Sequence, residues 1–253
     1  IAGTGLWLSG SRDPATLLAD LTAGRSRAGL EIDTPSRPSS IPVGGWRRMS
    51  RLARMAIGTA APLIEGRPDL EHLGLVWGTR IGEIVPTARF LERLIQEGPE
   101  RASPLSFQNS VYNAPAGHLS IALGLRGPSE TVSAGGATGL AALLRGADLI
   151  RLGMASTVLV LAGDDRNNIR TAAYAYVDHD GDPTDLVAAV LLTTTPTPVE
   201  LIVRVGTPTC AVTFRRSQPI PGEQAFQSGE GLPTEPTLGT TPVSGLAAVV
   251  AVA

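Results

Sequence analysis

Between a β-branched pair, Thr131 and Val132, and a helix-forming stretch, Leu140-Ala141-Ala142-Leu143-Leu144, the chain reads Ser133-Ala134-Gly135-Gly136-Ala137-Thr138-Gly139. A strand-to-helix turn of small residues is where covalent catalysis places a Cys or Ser. The helix N-terminus there lowers a thiol's pKa and favours developing negative charge. At that helix start stands Gly136, which has no side chain and can form no acyl-enzyme.

The other residue types able to do chemistry are few. His72, His118 and His179 are the only histidines, and none lies within five residues of another, so no local metal pair is available on a helix. His118 falls on the helix that precedes the Gly136 turn and reads as a hydrogen-bonded structural histidine, with a catalytic role as the alternative. The single cysteine, Cys210, opens the apolar stretch Cys210-Ala211-Val212-Thr213-Phe214 and reads as a buried strand residue. One cysteine excludes disulfides within the chain and cysteine zinc sites. Asp178-His179-Asp180-Gly181-Asp182 spaces carboxylates as a calcium loop does. Pro183 takes the turn-glycine position and Ala189 the bidentate Glu position, so the stretch reads as a charged turn. Gly3-Thr4-Gly5 lacks the rest of a dinucleotide fingerprint, and no Gly-Lys-Ser/Thr phosphate loop exists. No metal and no cofactor are expected.

The elements that must position these residues alternate. Residues 1–8 read as a buried first strand, and Asp13 and Pro14 as the cap and first position of a helix over 15–23 that ends at Gly24. Residues 25–48 hold Pro35, Pro38, Pro42, Gly44 and Gly45 and read as a surface loop. Residues 50–64 are helical, with Leu52, Met55, Ala56 and Ala60 on one face; 73–79 form a buried strand; 80–96 form an amphipathic helix with Ile84, Leu91, Leu94 and Ile95. A helix over 113–123, a short strand over 131–133, a helix over 137–152 and strands over 156–162, 186–194 and 199–205 follow. This alternation argues for a doubly wound α/β layer. Beyond residue 206 the pattern degrades; 217–242 read as a long loop and 243–253 as a final strand or helix.

At 253 residues and 43% apolar the chain can bury a substantial core. A net charge of −2 gives no reason for a nucleic-acid or membrane-surface partner. All 21 basic residues are Arg, which reads as codon bias rather than a binding device. No run approaches the ~20 apolar residues of a membrane span. The start lacks a signal peptide's basic and apolar regions, and the missing initial Met points to a trimmed chain. The expected location is the cytoplasm.

Asn113, Ala116-Gly117-His118, Gly124-Leu125-Arg126-Gly127-Pro128 and the run Val132 to Gly139 together resemble the β-ketoacyl synthase family, whose turn reads Val-Ser-Thr-Ala-Cys-Ala-Ser-Gly. Residues 1–8 resemble its opening strand, Ser103-Pro104 its Ser-Pro element, and Asp178-His179-Asp180-Gly181 followed by 187–192 its Asp-x-Asp-Gly and Ala-Val-Leu-Leu element. The resemblance implies a thiolase-like layered α-β-α fold, with 1–206 as its N-terminal half and 207–253 as a reduced C-terminal remnant. It also puts Gly136 where the family's nucleophilic Cys stands. Condensing members use two further histidines from the second half, and this chain has none after His179.

These three departures imply a catalytically silent subunit similar to the chain length factors of type II polyketide synthases, most like the short partners of polyene and aryl polyene systems. Such a subunit pairs with an active ketosynthase, which is served by acyl carrier protein, and shapes the acyl tunnel. Carried over by position, the tunnel segment is Ala102, Leu105, Ser106, Phe107 and Gln108, with Phe107 either a plug that limits chain length or a core residue. Thr131, Val132 and Ser133 are the strand expected to pair across the dimer. The alternatives are a malonyl-thioester decarboxylase, using His118 and Asn113, or priming enzyme of the same fold, and a pure scaffold.

Overall fold

The computed structural model describes residues 1–8, 34–176, 185–196, 199–205 and 210–216. The expected helix over 15–23, the charged turn at Asp178 to Asp182 and the segment 217–253 lie outside the described residues. The elements run β1 (Gly3–Leu8), α1 (Val43–Arg48), α2 (Arg51–Ile64), β2 (Gly74–Gly78), α3 (Ile84–Glu97), α4 (Pro104–Gln108), α5 (Ala114–Leu123), β3 (Ser129–Val132), α6 (Thr138–Arg151), β4 (Thr157–Asp164), α7 (Asn168–Tyr176), β5 (Leu186–Thr193), β6 (Val199–Val205) and β7 (Cys210–Arg216).

Five strands form one sheet in the order β1-β5-β4-β2-β3. β2 runs parallel to both β3 and β4, whereas β5 runs antiparallel to β4 and β1. β2 and β4 are buried along their whole length, which is why their apolar runs do not alternate with polar residues. Successive side chains leave for opposite faces. Val76, Val158, Val160, Ala162, Ala188 and Val190 pack against Ala142, Leu143 and Leu149 of α6. Leu75, Trp77, Leu159, Leu161, Ala189 and Leu191 pack against α2 and α5 on the other face. Two apolar cores around a shared sheet make the α-β-α layering, and each fully buried Leu, Ile or Val contributes roughly 1.5–3 kcal/mol. On α6, Gly146 lies against β4, and a Cβ there would collide with Cγ2 of Val160.

The element boundaries depart from the periodicity in informative places. The loop read over 25–48 contains α1, a six-residue helix with Trp46 buried. Arg54 of α2 holds it: its Nε donates to Trp46 O at 3.1 Å, and its guanidinium lies 5.6 Å from the centre of the Trp46 ring. The helix expected from residue 80 begins at Ile84, because Arg80 N and Ile81 N donate to the Asp164 carboxylate at 3.3 and 3.2 Å instead of entering a helix. α7 was not visible in the periodicity. The two strands read near the end of the pattern separate: β5 joins the sheet between β1 and β4, while β6 pairs antiparallel with β7 in a two-stranded sheet of its own.

Candidate functional site

The turn that carries Gly136 is built from both sides. After β3, residues Gly135–Ala137 form one 3-10 turn and α6 follows directly. Gly135 has φ +55°, a left-handed conformation that favours glycine. The buried Thr138 closes the turn: its Oγ1 donates to Gly135 O at 2.8 Å and accepts from Ala134 N at 3.0 Å. Beneath, Thr79 N donates to Val132 O at 3.1 Å and Ser133 Oγ to Arg80 O at 3.4 Å. The loop so engaged is held in turn by Asp164, which accepts Thr79 Oγ1 at 2.6 Å. Glu130 of β3 and Arg145 of α6 form a two-pronged ion pair, with Arg145 Nη2 at 2.8 Å, that fixes strand and helix together.

Gly136 itself is exposed, its φ is not left-handed, and a Cβ built on it meets nothing within 4 Å. The backbone of this turn therefore accepts a side chain at position 136. Glycine is not required there by packing or by conformation, unlike at Gly135.

Next to the turn's strand, α5 and α4 enclose an open groove of about 240 Å³ lined by Phe107, Gln108, Val111, Asn113, Ala114, Gly117, His118 and Ile121. Of the expected tunnel residues, Phe107 and Gln108 line this groove. Phe107 is 56% exposed, with its ring 5.6 Å from that of Phe90, so it is not a core residue of this chain. Ser106 lines a neighbouring cleft with Arg48 and Asn109; Leu105 is 47% exposed, and Ala102 sits half-buried after the 3-10 turn Pro99–Arg101. The five residues thus share one short segment but not one cavity.

His118 Nε2 lies 2.7 Å from Asn109 Oδ1. Asn109 Nδ2 donates to Arg48 O at 3.0 Å, so its oxygen faces the imidazole and Nε2 carries the proton. Burial lowers the His118 pKa and keeps the ring neutral. Of the expected interface strand, Thr131 and Val132 are half-buried and Ser133 is exposed. β3 is the outermost strand of the sheet, so its outer edge has no strand beside it among the described residues.

One cluster was missed. At the ends of β2 and β4, four carboxyls come together with their partners. Asp164 and Asp185 are fully buried, Glu83 is 4% exposed, and Asp165 follows Asp164 directly. Arg51 grips Asp185 with both Nη atoms at 2.5 and 2.6 Å, and Arg166 N adds a third bond at 2.6 Å. Desolvation raises the pKa of Asp164, and it raises Asp165 to about 6 with help from the charge on Asp185. The signal was the pair Asp164-Asp165 at the end of an unbroken apolar run, where the sheet buries whatever follows. Among the described residues no group of His, Cys, Asp and Glu could hold a metal ion, and no helix is long and apolar enough to cross a membrane.

Comparison with known proteins bears on the fold first. The model of the β-ketoacyl synthase N-terminal domain matches residues 26–220. The chain belongs to that family. It is 35% identical over 90 residues to the 3-oxoacyl-[acyl-carrier-protein] synthase 2 of Vibrio cholerae and 32% identical over 88 residues to that of Vibrio harveyi. Each match spans 35% of this chain and only 21% of the relative, so the chain aligns with about a fifth of these enzymes' length. Among solved structures, a ketosynthase in complex with its chain length factor from Xenorhabdus doucetiae matches with a TM-score of 0.60 at 22% identity, covering 79% of this chain and 80% of that one. The ishigamide ketosynthase/chain length factor matches with a TM-score of 0.62 at 20% identity, covering 80% and 66%. A type II polyketide synthase carrier protein in complex with its ketosynthase matches with a TM-score of 0.59 at 18% identity, covering 77% and 62%. The layering of this chain is the thiolase-like one.

Proposed function

We propose that this chain is a non-condensing ketosynthase-like subunit, a chain length factor, that pairs with an active ketosynthase and forms one wall of its acyl tunnel. The observation that carries this reading is the nucleophile turn, held by Thr138, Asp164 and the Glu130–Arg145 pair, with a glycine where it has room for a side chain. A fold that had merely decayed would have no reason to keep the turn's supports. A fold that needed glycine for its backbone would show it at Gly136, and does so at Gly135 instead.

The partner carries the nucleophile, loads the acyl chain and condenses units delivered by acyl carrier protein. This chain contributes shape. Phe107 lines the groove on α5, and once the partner covers that groove a growing chain that reaches the ring must displace it, which costs free energy and limits length. The outer edge of β3, which Thr131 faces and which runs on towards Val132 and Ser133, has no strand beside it among the described residues and suits a strand of the partner. The exposed apolar residues near the groove, Leu105, Phe107, Val111 and Ile121, suit an apolar interface of the obligate kind.

The test is co-expression with a ketosynthase encoded beside it. Co-purification and longer products with Phe107→Ala are the expected results. A stable monomer with no such partner overturns the pairing. An unchanged product distribution from an intact Phe107→Ala complex overturns the tunnel role and leaves a scaffold.

A further inference from the structure

Residues 84–112 contribute nothing to the two buried cores, and their far end is pinned by Asn109, which bonds Arg48 O and His118. Neither α3 nor α4 has a buried residue, and α3 packs chiefly on α4, the turn Pro99–Arg101 and α7. The segment is joined within itself by the Phe90–Phe107 ring contact and by Thr87 Oγ1 donating to Ser110 O at 2.8 Å. At its base the arrangement changes. Glu83, which opens α3, is 4% exposed, and its carboxyl accepts the hydroxyl of Ser50. Ser50 Oγ in turn accepts Ala53 N and caps α2. One side chain therefore ties the start of α3 to the start of a core helix.

The surroundings of Glu83 do not suit a negative charge. Among the described residues its carboxyl has no ion pair, and the neutral Ser50 hydroxyl is its hydrogen-bond donor. On the elements around it, α2 contributes Arg51, which is engaged with Asp185 at the start of β5. The end of β4 contributes Asp164 and Asp165, followed by Arg166, whose N–H serves Asp185. α7 contributes Arg170, whose Nη1 donates to Asp165 O at 2.9 Å, and the loop after β2 contributes Arg80. Asp165 adds a repulsive charge. A buried carboxyl with one neutral donor and an acidic neighbour keeps its proton.

We propose that Glu83 is a protonated latch holding the flap 84–112 to the core, and that opening of the flap releases this proton to water. Desolvation raises the Glu83 pKa from its usual 4.5 to about 8, which sets the pH window. Between those two values the open state carries a carboxylate and the closed state an acid. The opening equilibrium therefore rises about tenfold per pH unit from about pH 5 to about pH 8 and levels off above. The flap carries Phe107 and Gln108, so a proton governs how firmly that wall stands. The latch is a property of this chain's fold and holds whether or not the chain pairs with a ketosynthase.

Hydrogen exchange followed by mass spectrometry on the full chain tests it, with intrinsic exchange rates corrected for pH. Protection of peptides within 84–112 should fall about 70-fold between pH 5.5 and 7.5 in the wild type. It should stay flat in Glu83→Gln, which keeps the shape and the Ser50 contact without the titration. Flat protection in the wild type overturns the latch, as does the same slope in Glu83→Gln, which would assign the pH dependence to Asp164, Asp165 or the His118 that meets Asn109 of the flap. If Glu83→Gln does not fold, the carboxyl carbon-13 resonance of wild-type Glu83 decides. A midpoint above pH 7 supports the latch, and one in the ordinary range of about 4–5 overturns it.

Discussion

Two adjacent glycines in the turn make opposite predictions. Gly135 has φ +55°, so Gly135→Ala forces a Cβ into the left-handed region at a cost of about 1–2 kcal/mol. Gly136 has an ordinary φ and nothing within 4 Å of a built Cβ. Gly136→Ala should be neutral or stabilise by up to about 1 kcal/mol, because it removes freedom only from the unfolded chain. Urea denaturation should thus separate the neighbours by about 1–3 kcal/mol. Gly136→Cys, made in a Cys210→Ser background, adds a chemical readout. The N-terminus of the 14-residue α6 stabilises a nearby anion by roughly 0.3–1 kcal/mol. That lowers a thiol's pKa by about 0.2–0.7 from its ordinary 8.5 and raises the thiolate fraction at pH 7 about 1.5- to 5-fold. Iodoacetamide should alkylate this cysteine readily in the folded protein, and faster than in the urea-unfolded chain at the same pH. If Gly136→Ala destabilised as much as Gly135→Ala, the glycine would be serving the backbone. It could then no longer be read as a nucleophile removed from a standing turn.

Other substitutions probe the buried acidic cluster and the packing of α6 on the sheet. Arg51→Met strips the fully buried Asp185 of its two-pronged partner and should cost about 3–5 kcal/mol in urea denaturation; the double variant with Asp185→Leu should recover most of it. Asp165 titrates near 6 in the folded chain against an ordinary value of 3.8, so its neutral form is the one the fold prefers. Its contribution is complete below about pH 4 and lost as pH rises through 6; Asp165→Asn should flatten that part of the stability–pH curve. Gly146→Ala should lower the midpoint despite better helix propensity, by about 1–3 kcal/mol, because Val160 already occupies the space its Cβ needs.

The central layer was legible because its physics is local. β2, β4 and β5 are continuous apolar runs that must be buried on both faces, and α2 shows its apolar stripe directly. The nucleophile turn was legible for the same reason, as strand, small residues and helix within a dozen positions. α3 shows where this reasoning stops. Its apolar spacing at Ile84, Leu91, Leu94 and Ile95 is a helix face, yet the chain buries none of these residues, and Ile95 is 82% exposed. Periodicity reports a face that would gain from cover, not the element that covers it. α1 was hidden by Gly44 and Gly45, whose poor propensity is overridden by the burial of Trp46 under Arg54. The acidic cluster was hidden by distance along the chain: Arg51 and Asp185 are 134 residues apart, and nothing near either one names the other.

The edge strand β1 has a consequence in time. Its partner is β5, with Gly3 opposite Leu191 and Leu8 opposite Leu186. β1 can pair only when β5, the last strand of the described sheet to be made, arrives. At roughly 5–20 residues per second, that wait is about 10–40 s. Through that interval β2, β3 and β4 can assemble between their helices, while β1 has no strand to join. The sheet thus closes as a late event that joins the first and the last of its described strands, and any truncation within 186–193 would strand both β5 and β1.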